Sequence, residues 1–428
     1  MKELIYSKNN LVIAIYAVVL ITMVFISKPE VEYGMTIRLL LFGAAMFPLL
    51  FSSKYIIFSF TCIYSINSTS FCRILPSDAY YYYILIFIAF CICKRSNEMF
   101  KIMWKCGVAI IPFYFISLIH GDAQDFQLWW AVCLLFIPFL NNEQNLKLLA
   151  FSFPVASLVL SLLFLLNQAY FMFSYSVEVE RSGWINANQF GGIIGLGVVV
   201  GIALIIKQIK LNITFKETVL LLVCVVVSYI VVVLNASRGA FISTSLTSLI
   251  LVFMSNIKNG YKILIIVALI FFAFLLWQSG FFELLMFRME ADTASTAGSR
   301  SLIWAEKLDS FFNEGTPLQW LLGAGGRAGA EMLGHSRNIY NMSTHNDFVT
   351  VIVGFGIPCF LYYIYLLFYP YFNMPKGHDR NVLGAFMIFL FLESSVLEPM
   401  FRGYVSYIMF YIFLFTYSHY MKRQFYKL

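Results

Sequence analysis

Long apolar runs separated by short polar connections set the pattern of this chain. They fall near 11–27, 35–51, 55–71, 79–93, 102–119, 127–140, 148–173, 188–206, 218–234, 239–255, 263–277, 347–372, 382–397 and 404–418. Most approach the roughly 20 residues that an α-helix needs to cross a bilayer. The runs 55–71 and 127–140 are weaker, one being partly polar and the other short, so twelve to fourteen spans are expected. The predicted fold is all-α, a polytopic transmembrane helix bundle. One connection, about 278–345, is far longer than the rest. It divides the chain into spans 1–11 (1–277), a large extramembrane loop with short helices (278–345) and the last three spans (346–428).

Composition strengthens this reading. With 61% hydrophobic and only 12% charged residues, the chain cannot solvate a soluble surface of its size. Disorder and a secreted disulfide scaffold are excluded by the same figures. The eight cysteines lie mostly inside apolar runs with no C-x-x-C spacing, so they read as buried thiols. The basic start (Lys2, Lys8) and the run 11–27 lead to Lys28-Pro29-Glu30 without a small-residue cleavage site, which reads as an uncleaved first span.

The net charge of +7 changes meaning once it is placed. Alternating through fourteen spans puts 18 Lys/Arg and five Asp/Glu on the side of the termini, and 11 and 17 on the other, so that +7 splits into +13 and −6. The positive-inside rule then makes both termini cytoplasmic and the large loop periplasmic. No nucleic-acid partner is implied. The inner cations are mostly lysines, whereas the outer ones are nine arginines and two lysines. Arginine's rigid fork suits bidentate contact with phosphate, so an anionic ligand is expected at the outer face.

Polar residues crowd the outer ends of certain runs. Arg181-Ser182-Gly183-Trp184-Ile185-Asn186-Ala187-Asn188 precedes one, and Asn235-Ala236-Ser237-Arg238-Gly239 forms a tight connection between two others. Arg238 is a costly charge to place there, which points to pairing or function, with a boundary arginine snorkelling to headgroups as the equal alternative. Gly298-Ser299-Arg300 opens an amphipathic helical stretch to Phe312, with Trp304, Leu308, Phe311 and Phe312 on one stripe. Asn313–Pro317 ends it, and Gly323-Ala324-Gly325-Gly326-Arg327 follows, either a flexible turn or a set of backbone N–H groups aimed at an anion. His345, with Asn346 and Asp347, begins a span. Glu393 and Glu398 are intramembrane acids that could pair with Arg402 or an active-site arginine. The spacing of His335, His345 and Asp347 does not support a metal site, and neither metal nor cofactor is expected.

In order and composition these clusters resemble the O-antigen polymerase and O-antigen ligase superfamily of bacterial envelope glycosyltransferases. The matching residues are Arg181…Gly183-Trp184…Asn186-x-Asn188, Ser237-Arg238-Gly239-Ala240, Gly298-Ser299-Arg300…Trp304, Gly323-x-Gly325 and His345-Asn346 followed by Gly354 and Gly356. The resemblance spans roughly 175–360. Arg181 and Gly192 keep the Arg-x10-Gly pattern of polymerase loops, although no arginine of the large loop repeats it. The ligase spacing after His345-Asn346 is kept at Gly356 but not at Cys359.

The resemblance implies transfer of a glycan from undecaprenyl pyrophosphate to a sugar hydroxyl at the periplasmic face of the inner membrane. Donor and acceptor would be lipid-linked oligosaccharides in a polymerase, the favoured reading, with lipid A–core the acceptor in a ligase. It also allows a chain-length regulator as partner. His345 is the candidate base, with Glu398 or Asp347, or a dissociative reaction that needs no base, as the alternatives. Arg181, Arg238 and Arg300 are the candidate pyrophosphate ligands, and Trp184, Asn186, Asn188, Arg327, Arg337, Asn346 and Arg402 the candidate substrate contacts. A flippase for an anionic lipid-linked glycan is the alternative of another class, but it should place charges at mid-membrane rather than at one edge.

Overall fold

The computed structural model describes residues 2–26, 34–52, 54–67, 97–120, 130, 133–140, 142–166, 187–235, 237–280, 300–334, 343–397, 399–400 and 404–426. The helices are α1 Lys2–Ile26, α2 Met35–Met46, α3 Tyr55–Phe58, α4 Asn97–Ile119, α5 Glu143–Leu166, α6 Ala187–Ile205, α7 Phe215–Leu234, α8 Arg238–Met254 and α9 Asn259–Gln278. Then come α10 Arg300–Asp309, α11 Pro317–Leu322, α12 Gly326–Met332, α13 Asp347–Asn373, α14 His378–Val396 and α15 Val405–Tyr426. No strand occurs among the described residues.

Among the described residues, five segments are long and apolar enough to cross a membrane: Phe100–Ile119, Glu143–Leu166, Asn188–Ile205, Phe215–Leu234 and Asp347–Asn373. Leu11–Ile26, Thr36–Leu50 and Arg238–Met254 are shorter apolar helices. This is a helical membrane protein. The weak run at 55–71 begins as α3 and widens into a π turn, Ser59–Tyr64. The other weak run, 127–140, holds the 3-10 turn Ile137–Phe139, where Pro138 removes a backbone donor, and no long helix among its described residues. The run at 79–93 lies outside the described residues. Cys62, Cys106, Cys133, Cys224 and Cys359 are buried free thiols, as their apolar settings implied.

The helices gather into two compact units, Met1–Phe100 with Leu135–Val232, and Lys101–Leu134 with Val233–Leu428. In the first, α5 and α6 pack closely because small residues meet: a Cβ on Gly197 would lie 2.3 Å from that of Ser157. The Ser157 hydroxyl donates to the Ile194 carbonyl (2.8 Å), a bond that gains value where no water competes. The Lys147–Glu217 ion pair (2.7 Å) ties α5 to the start of α7.

In the second unit α13 is the hub, packed against α10, α11, α12, α14 and α15. Its sequence breaks it. Pro358 has no N–H for the Gly354 carbonyl four residues back, and Gly356 takes φ 87°. Gly325 N–H supplies the Gly354 carbonyl (3.2 Å) and Ala324 N–H supplies that of Val353 (2.9 Å). The glycine-rich turn thus aims its amides at the broken helix rather than at an anion. The backbones interlock: a Cβ on Gly323 would lie 2.1 Å from the Gly354 oxygen, and one on Gly356 would lie 2.5 Å from the Leu321 oxygen.

The amphipathic stretch is α10 followed by a π turn, Ser310–Glu314. Phe311 is buried with Ala330, Val349 and Val353, and Trp304 and Leu308 pack on that cluster. Phe312 departs from the expected stripe and stays 42% exposed. The widened turn directs only one of two adjacent rings inward, and Phe312 rests edge-on against Phe311. Lys307, fully buried, donates to the carbonyls of Ala330 (2.7 Å), Glu331 (2.9 Å) and Leu333 (2.9 Å), satisfying the C-terminal end of α12.

Candidate functional site

The last turn of α14 is where the sequence motifs meet. Its final carbonyls need donors from outside the helix. Asn346 Nδ2 donates to the Ser395 carbonyl (3.0 Å) and Arg300 Nη1 to that of Val396 (2.8 Å). A cation at this end also complements the helix dipole. From the third side comes α8, whose Gly239 lies so close that a Cβ there would be 2.8 Å from Val396 Cγ2.

Ser237 caps α8, its Oγ facing the Ala240 N–H at 3.5 Å, and this makes Arg238 the first helical residue. A cation at a helix N-terminus opposes the dipole by about 0.3–1 kcal/mol. Local helix stability therefore does not explain Arg238.

His345 holds φ 50°, a left-handed conformation that costs a non-glycine residue about 1 kcal/mol or more. Its neighbours hold it there. The Thr344 carbonyl accepts from Trp304 Nε1 (2.7 Å), and the Thr344 hydroxyl bonds that of Thr350. Asn346 Oδ1 accepts from the N–H groups of Phe348 (2.9 Å) and Val349 (3.1 Å), capping α13. With Oδ1 and Nδ2 both bonded to backbone, Asn346 works as a strap between α13 and α14.

Two buried acids lie beneath this cluster. Asp347 Oδ2 accepts from the Tyr363 hydroxyl (3.1 Å) and from the Met400 N–H (3.3 Å). Glu393, one turn before the end of α14, is bonded by the hydroxyls of Ser243 and Tyr407. Among the described residues its hydrogen-bond partners are these two neutral hydroxyls, and Arg402, a partner expected for it, lies outside them.

Arg238, Arg300 and the His345-Asn346 pair are brought to one place. Arg327 lies on α12 and pairs with Glu331 (2.8 Å), while Asn188 belongs to the first compact unit. Arg181, Trp184, Asn186, Arg337, Glu398 and Arg402 lie outside the described residues. Sequence reasoning missed Tyr363, Tyr407 and Ser243 as partners of the two acids, since nothing in their spacing distinguishes them from other hydroxyls of apolar helices. It also missed the capping box at Thr316 and Gln319, although Thr-Pro-x-Gln carries that signal.

A family model described as O-antigen ligase matches residues 222–364. No curated protein and no solved structure matches the chain. The matched region runs from α7 into α13 and contains Arg238, Arg300, Arg327, His345 and Asn346. This match over a third of the chain, together with the motifs gathered at the end of α14, supports membership of the O-antigen polymerase and ligase superfamily.

Proposed function

We propose that the chain is a repeat-unit polymerase of the bacterial inner membrane, working at the periplasmic face on undecaprenyl-pyrophosphate-linked oligosaccharides. The supporting observation is the convergence of Arg238, Arg300 and a strained His345 at the end of α14. In the proposed reaction the acceptor hydroxyl attacks the anomeric carbon of the donor glycan. A glycosidic C–O bond forms, the bond from that carbon to the pyrophosphate oxygen breaks, and undecaprenyl pyrophosphate leaves. Arg238, with Arg181 and Arg300, offsets the charge on the leaving group. His345 takes the hydroxyl proton. Asn346 holds the histidine in place, while Trp184, Asn186, Asn188, Arg327, Arg337 and Arg402 are assigned to the glycans. No step calls on a metal or a nucleotide, because the pyrophosphate is already an activated leaving group.

The ligase is the second reading, favoured by the description of the matching family model. Deleting the gene and separating the lipopolysaccharide on a gel distinguishes the two. Core bearing a single repeat unit is expected for a polymerase. Bare core would overturn the polymerase reading in favour of a ligase, or of a flippase if donor also accumulates on the cytoplasmic leaflet.

A further inference from the structure

The short helix α11 has no buried residue, although it packs along α13. Leu318 and Leu321, three apart and so on one face, are 64% and 57% exposed. Trp320 beside them is 36% exposed, and its indole N–H donates to the Phe311 carbonyl (2.9 Å). The polar side chain of this helix, Gln319, is folded back onto Thr316 in the capping box. What remains outward is an apolar face with an aromatic edge.

Its level along α13 identifies what covers it. The Leu321 carbonyl abuts Gly356, nine residues beyond Asp347, a rise of about 13 Å. The 27 residues of α13 rise about 40 Å, against a hydrocarbon core of about 30 Å. Even with the whole excess of about 10 Å at the Asp347 end, Gly356 is level with the edge of the hydrocarbon. An apolar face docked at that level on a membrane-spanning helix meets lipid. Tryptophan, apolar in body and polar at one edge, is enriched at this depth.

We propose that α11 is an interfacial helix, with Leu318, Leu321 and the edge of Trp320 seated in the lipid leaflet at the end of the bundle that carries Arg238, Arg300 and His345. The segment 315–334 is then held from two sides, by lipid on its outer face and by the glycine interlock with α13 on its inner face. This inference stands on packing and exposure and does not depend on the reaction catalysed.

The test uses the full chain in phosphatidylethanolamine–phosphatidylglycerol vesicles, with the photoreactive residue p-benzoylphenylalanine at position 318 or 321. Irradiation is expected to give adducts with the mass of a phospholipid at both positions, several-fold above those from Ala305, an exposed residue of α10. Covalent dimers would assign the face to a second copy of the chain, and adducts no more frequent than at Ala305 would assign it to solvent; either overturns the proposal. Lipids brominated near the glycerol end of the acyl chain give a second reading on the native side chains. The emission difference between the native chain and Trp320→Phe isolates Trp320, which should be quenched. An unquenched Trp320 would also overturn the proposal.

Discussion

At the scale of single residues, His345 couples an unfavourable backbone to the proposed chemistry. Replacing it with glycine relaxes the backbone and removes the imidazole at once. His345→Gly should therefore fold at least as well as the native chain, while single-turnover transfer falls by about 10²-fold or more, the range for a lost general base. Retention within about tenfold would remove the base assignment. Arg238 makes a similar case, because its charge works against the dipole of its own helix. Arg238→Lys keeps the charge but loses the planar fork, so most activity should be lost while insertion and yield are unchanged. Full polymer length in that variant would reduce Arg238 to a boundary charge. Both residues were legible in the sequence from their rarity and position at the ends of apolar runs. The strap made by Asn346 was not, since its partner is a backbone carbonyl 49 positions away and carries no side-chain signature.

At the scale of elements, the spans were legible wherever length and apolarity agreed, as in α5, α7 and α13. The break in α13 was less so. Gly356 and Pro358 announce a weak point, but the turn that repairs it, Gly323–Gly326, lies more than twenty-five positions upstream. The close approach of the two backbones explains why glycine stands on both sides. Gly356→Ala should abolish the folded, detergent-stable protein, because it adds a left-handed alanine and a 2.5 Å contact to the Leu321 oxygen. Gly260→Ala, with nothing within 4 Å of the added carbon, should leave the melting temperature unchanged or slightly raised. Equal tolerance of both substitutions, read by thermal unfolding in detergent, would refute the interlock. The departure of Phe312 from its stripe has a different origin, since a π turn leaves no periodic trace in so short a stretch.

At the scale of the whole molecule, the orientation we propose rests on charge placement, since helix packing does not carry it. With both termini cytoplasmic, an impermeant thiol reagent added from the periplasm should label cysteines introduced at exposed positions in 300–314 and none in 207–217. The five described native cysteines are buried and should contribute no background, and Cys72, Cys91 and Cys93 can be replaced. The reverse pattern would overturn the topology and the periplasmic chemistry with it. The division into two compact units was not legible at all, because it follows packing between distant segments rather than any change in composition along the chain. The most direct test of the proposed activity is made with the purified chain in liposomes, given only a synthetic undecaprenyl-pyrophosphate-linked repeat unit and a chelator. A ladder of lengthening oligosaccharides with release of undecaprenyl pyrophosphate is the expected result. No ladder, together with a single transfer once lipid A–core is added, would contradict it.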